Sequence, residues 1–190
     1  MICYIKKVRM MLMNIFKKYS KPKTTLKQNQ RGIAAIEFAL VVPIIVILLL
    51  GSIDAVFALT AKRKVSLATH SMADISARES DVRGLLPTIS DLGKLIMTPN
   101  DISQAQIVIS GATVDSSGMK AVVAWSGAFG PNATQLAKDS KIDLPGQLNS
   151  GIFLVVTSTQ LPYQTLTRNS ITLSETAYFQ SRSGQPIIGP

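Results

Sequence analysis

One cysteine in 190 residues excludes a framework of intrachain disulfides. One histidine leaves no Cys/His cluster to hold a structural zinc. Charged residues make up only 16% against 46% hydrophobic, which excludes an extended disordered polyelectrolyte. Acids are absent from residues 1–32, yet nine bases lie there: Lys6, Lys7, Arg9, Lys17, Lys18, Lys21, Lys23, Lys27 and Arg31. The other 11 of the 20 bases balance the 11 acids of residues 33–190. The net charge of +9 therefore describes a leader and not a domain surface, and nucleic acid is not expected as a partner. Ser, Asp and Lys are scattered without a nucleophile elbow or a phosphate loop. His70 has no base, nucleophile and orienter at useful spacing and reads as a satisfied or solvated side chain. The expectation is no enzyme, no catalytic residue, no cofactor and no metal.

Behind Gly32 lies an apolar run, Ile33 to Ala61, broken only by Glu37 and Asp54. Phe38 to Ile53 are 16 consecutive uncharged residues, and the flanking Ala34–Ile36 and Ala55–Ala61 bring the stretch to bilayer length. No polar face recurs along it, as it would in a soluble amphipathic helix. A membrane helix is predicted over 33–61, and Pro43 does not forbid it. Nine bases precede this helix and three, Lys62, Arg63 and Lys64, follow it. The positive-inside rule puts 1–32 in the cytoplasm and the C-terminal region outside, with the lysine-rich triplet snorkelling to lipid headgroups. The expected location is a bacterial inner membrane, crossed once.

Past the membrane the pattern turns amphipathic. Val65, Ala68, Met72 and Ile75 recur at three- and four-residue steps, so the helix is expected to continue through 62–86, ended by Gly84 and Pro87. A short second helix is expected over Ser90–Met97, stopped by Pro99-Asn100. Four strand-like runs follow: Gln106–Ser110 (extending toward Val114), Ala121–Ser126, Ile152–Thr159 and Ile171–Phe179. Gly127–Gly151 between them reads as loop, with a short helix near Gln135–Asp139. The expected fold class is α+β: a long N-terminal helix, membrane-embedded in its first half, with an extracytoplasmic domain at 87–190 carrying an antiparallel sheet.

The junction reads Arg31-Gly32-Ile33-Ala34-Ala35-Ile36-Glu37-Phe38. Gly, Glu and an aromatic at these offsets arise by composition at on the order of one position in a few thousand. Here they stand directly between leader and membrane helix. A carboxylate at the membrane edge costs about 2.5–3.5 kcal/mol on insertion scales and usually has a partner. A cut after Gly32 would create a cationic amine on Ile33, four residues and one helical turn from Glu37. The carboxylate would then pair with its own N-terminus or a neighbour's, and the first turns of a helix favour an anion.

This junction resembles the cleavage site of type IV pilin precursors, and in particular the TadE-like family of tight-adherence (Flp, type IVb pilus) pseudopilins. Glu37-Phe38-Ala39-Leu40-Val41-Val42-Pro43 is similar to the family's EFALVxP core. Gly51-Ser52-Ile53-Asp54 is similar to its later G-x-x-E, with Asp in place of Glu. The resemblance implies a cleavage site at Gly32 and Ile33, a processing and assembly motif at Glu37 and Phe38, and a membrane-helix motif at Pro43, Gly51 and Asp54. It implies a prepilin peptidase, other pilins or pseudopilins and an inner-membrane assembly platform as partners, besides the lipid bilayer. Cys3 would leave with the leader. An internal start at Met10, Met11 or Met13 would shorten that leader. Two other readings stand beside this one: an uncleaved single-pass anchor for an extracytoplasmic binding domain, and a secreted domain cut after Ala58. Asn132-Ala133-Thr134 matches a glycosylation sequon, and Trp125 and Tyr178 are expected in the sheet.

Overall fold

The computed structural model describes residues 30–165 and 170–190. The expectations for the leader, including Cys3, Met10, Met11 and Met13, lie outside the described residues. The chain divides into two compact units, Met1–Leu49 and Leu50–Pro190.

Within the first unit the described residues are helical. They open α1, Gln30–Arg78, which carries Pro43 inside it. Ile33, Phe38, Leu40, Ile47 and Leu48 are all exposed, Phe38 by 71%. A contiguous surface of this kind demands lipid or protein, not water. In lipid the backbone must satisfy its own polar groups, which a helix does. Among the described residues, α1 is the one helix long and apolar enough to cross a membrane.

The second unit begins on the same helix. Here Ala61, Val65, Ala68, Thr69, Met72, Ala73, Ser76 and Ala77 are buried at helical spacing. The helix does not reach Gly84; it ends at Arg78. Residues beyond it pair with the C-terminal tail instead. Arg182 N–H donates to Ala77 O at 3.0 Å, Ile188 N–H to Ser80 O at 3.0 Å and Val82 N–H to Ile188 O at 2.9 Å. These bonds satisfy groups that a continuing helix would have used. Pro87 does not stop α1 either. It stands in the first turn of α2, Leu86–Met97, where its missing N–H costs nothing. Leu86, Ile89, Ser90, Gly93 and Met97 form the buried face of α2.

Five strands follow: β1 Gln106–Val114, β2 Lys120–Phe129, β3 Lys141–Asp143, β4 Phe153–Gln164 and β5 Ser170–Gln180. All pairings are antiparallel, in the order β3-β2-β1-β4-β5. The first four strands make a Greek key, and β5 adds a hairpin to β4. The four expected runs are present, mostly longer than their Val/Ile/Thr cores. The helix expected near Gln135–Asp139 is not. That stretch is irregular, Asp139 turns at φ 62, and its N–H bonds Val123 O at 2.9 Å. The pairing of this loop with β2 competes with local helix formation, and it leads into the unforeseen β3.

One face of the sheet, with Ile107, Ile109, Trp125, Phe153, Val155 and Leu161, joins the buried stripes of α1 and α2 in one core. A smaller cluster of Val114, Leu154 and Val156 lies apart from it, with Leu144, Ile152 and Tyr178 packed alongside. Gly111 of β1, opposite a bulge at Ala124 of β2, has no room for a side chain: a Cβ there would overlap the rings of Trp125 and Phe153. The architecture is α+β, a long apolar helix followed by an antiparallel sheet domain.

Candidate functional site

The junction residues fall in the first turns of α1. Gly32 is exposed, and a Cβ built on it meets nothing within 4 Å. Ile33 and Glu37 stand one helical turn apart, and both are exposed. Phe38 projects beside them. A protease acting at Gly32 needs this backbone to leave the helix, and among the described residues nothing packs within 4 Å of a Cβ built there. Pro43 lies one and a half turns further along. Gly51 is open on all sides, while Asp54 is half-buried. The rise of an α-helix separates Glu37 from Asp54 by about 26 Å, so these two carboxylates do not form one site.

A second polar group forms where α1 meets β5. Lys62 Nζ donates to Glu175 Oε2 at 2.5 Å and also to the Ser174 carbonyl oxygen. His70 Nε2 lies 3.7 Å from Glu175 Oε1, and its ring meets Phe179 edge-on at 6.0 Å. The hydrogen bond from Lys62 holds the Glu175 carboxyl below the usual carboxylate range against the opposing effect of burial, with the charges of Lys62 and His70 adding to it. Lys64 Nζ reaches the Thr98 carbonyl at 2.6 Å, beyond the C-terminus of α2. Lys62 and Lys64 thus hold hydrogen-bond partners on the domain. From sequence, Glu175 reads as an interruption of a strand face; in the fold it is the acceptor that receives Lys62.

The far end of α1 is held similarly. Asp74 accepts from Arg78 and, at 2.8 Å, from Arg182 Nη2. The Arg78 bond, then the Arg182 bond, lowers the Asp74 pKa. Asp81, gripped by Arg83 side chain and backbone, is lowered to about 2. Trp125 is buried and donates from Nε1 to Ile187 O at 2.8 Å, so it is a core residue tied to the C-terminal tail. Asn132 sits in a turn at φ 63. Among the described residues, no group of three or more His, Cys, Asp and Glu is placed to hold a metal.

The exposed apolar helix that follows the Gly32, Glu37 and Phe38 junction is consistent with a single-pass membrane anchor. The family model described as TadE-like protein matches residues 32–74, the segment from that junction through most of α1. The match suggests a Tad pilus-associated protein with an N-terminal apolar helix. No curated protein and no solved structure matches the chain.

Proposed function

We propose that the chain is a pseudopilin-like membrane protein, cleaved after Gly32 by a prepilin peptidase, that acts in assembly of a tight-adherence pilus. The observation that carries this reading is the coincidence of three features. The Gly32–Phe38 junction opens an exposed apolar helix, and the TadE-like match begins at Gly32 itself. The protein is then a substrate of the peptidase and not an enzyme.

Cleavage removes the basic leader and exposes an α-amino group on Ile33. Free α-amino groups titrate near pH 8, so this one is cationic at neutral pH. Glu37, one turn away, gives it a counter-charge in a low-dielectric setting. In an assembly the same carboxylate serves the amine of a neighbouring subunit. The helix holds the protein in the inner membrane, leader inside and sheet domain outside, until it joins other pilins or pseudopilins on the platform. The half-burial of Ala58 in the sheet-bearing unit weighs against a signal-peptidase cut after it, which would remove part of that unit.

The test is N-terminal sequencing, with intact mass, of the membrane-associated protein from cells carrying its own secretion genes. A start at Ile33 is expected. A start at Leu59 would make it a secreted domain, and an intact leader would make it a plain anchor; either result overturns the proposal.

A further inference from the structure

We propose that a groove on the sheet face turned away from the helices receives the leucine-bearing outer side of α2 from a second copy of the chain. The contact is heterologous, front to back, so it builds a ring or an open stack and does not close on a pair. It goes beyond the processing reading and does not depend on it. Every residue involved lies in the unit Leu50–Pro190.

Alternation along β4 fixes where the groove lies. Phe153 and Val155 belong to the core shared with α1 and α2, whereas Leu154 and Val156 belong to the separate apolar cluster. Successive strand residues point to opposite faces, so that cluster is on the face opposite the helices. There a cavity of about 410 Å³ is lined by Leu144, Pro145, Leu148, Ile152, Leu154 and Tyr178, and no lining residue is charged. Further along the same face Ser158, Gln160, Ser174 and Thr176 are polar, so the apolar region is confined to one end of the sheet.

The outer wall of the groove, residues 144–152, has no regular structure but is tied down. Leu144 N–H donates to Met119 O at 2.9 Å, Leu148 N–H to Gly118 O at 2.8 Å and Gly151 N–H to Val114 O at 3.0 Å. Gly118 turns at φ 71, and a Cβ there would lie 2.4 Å from Leu148 O, so turn and wall fit together only with glycine. A concavity held in this way loses little freedom when it is filled. Leu148 is exposed and brings apolar surface to its mouth.

The chain carries a matching projection on the other side of the domain. In α2 the residues Leu86, Ile89, Ser90, Gly93 and Met97 are buried, which turns Leu95 outward with Leu92 at its flank. Leu95 is 66% exposed and Leu92 40%. Lys64 Nζ meets Thr98 O, and a Cβ on Gly93 would overlap Met72, so this end of α2 lies beside residues 64–72 of α1. Leu67, 60% exposed on that stretch, adds a third leucine at the level of Leu95. Beside these leucines Asp91 pairs with Lys94 at 3.0 Å. On β3, from which the groove wall runs on, Asp143 pairs with Lys120 at 3.5 Å and Lys141 with Asp115 at 3.8 Å. With each of these charges neutralised on its own surface, docking brings no like-charge repulsion between them. A small apolar molecule would need only the groove. The leucine projection on the opposite side is what singles out a second copy.

The experiment uses the full-length chain carrying Cys3→Ser in phosphatidylethanolamine/phosphatidylglycerol vesicles. One form adds Leu95→Cys, and a second, separately tagged form adds Leu148→Cys. Both positions are exposed, so folding is not at stake. On mild oxidation the two forms together are expected to yield the 95–148 linked pair, several-fold above the product of either form alone. A chain carrying both cysteines is expected to give multimers larger than a pair. Adding Leu92→Glu, also at an exposed position, to the Leu95→Cys form is expected to lower the mixed yield several-fold. Absence of the mixed product overturns the proposal. So does an equal product from the Leu148→Cys form alone, which would mean groove facing groove, or an unchanged yield with Leu92→Glu, which would mean random collision. The N-terminal sequencing reads the processing proposal separately from all of these outcomes.

Discussion

The two halves of α1 obey the same helical geometry in opposite surroundings. From Ile33 to Leu50 nearly every side chain is exposed and apolar. From Ala61 to Ala77 the side chains sort into a buried stripe of small and medium residues and an outer side that exposes Arg63, Leu67 and His70. The first half packs on no other element among the described residues, and it is long and apolar enough to cross a membrane. The second makes its own apolar interior by packing on the sheet. A helix that is apolar all round and one that is apolar on one side thus report two solvents, and the change falls between residues 50 and 61.

The largest expected effect lies at the head of the first half. Gly32→Leu should abolish maturation, so that the protein keeps its full leader by mass. If Gly32→Leu is still trimmed at Ile33, the peptidase reading fails. Glu37→Ala should leave cleavage intact but reduce pilus formation, and piliation at the parental level would remove the charge pairing.

In the second half, loss of packing should dominate. Met72→Ala empties a fully buried site and should cost about 2–5 kcal/mol, read by denaturation. The same truncation at Leu48, exposed at 67%, should leave the stability of the sheet domain unchanged. Equal losses at both positions would erase the distinction between the halves. Gly111→Ala should cost about 1–3 kcal/mol by overpacking Trp125 and Phe153.

The smallest effect concerns Lys62. The folded Glu175 carboxyl titrates below its unfolded value because of Lys62. Its contribution is therefore present above the unfolded carboxylate pKa and lost as pH falls through the lowered folded one. Half-exposed ion pairs of this kind are worth about 0–1 kcal/mol. Lys62→Met should therefore flatten the stability profile on the acid side of pH 5 and change little at neutral pH. An unchanged acid limb would show that the pair is energetically idle.

Much of this protein was settled by its sequence. The junction at Gly32, the apolar run, the four long strands and the α+β class follow from local pattern, because periodicity and composition act over a few residues. The tertiary structure alone decided where α1 stops and what its polar residues do. Pro87 looked like a terminator, but the tail at 182–188 ends the helix earlier by taking the backbone bonds of 77–82. Lys62 and Lys64 looked like lipid anchors, yet Lys62 binds Glu175, 113 residues away in the chain. Asp54 interrupts the apolar run in the sequence, and in the fold it is half-buried. No local rule carries such pairings. They form only when the sheet closes on the helix, since the free energy of bringing distant groups together is supplied by the core and not by the groups themselves.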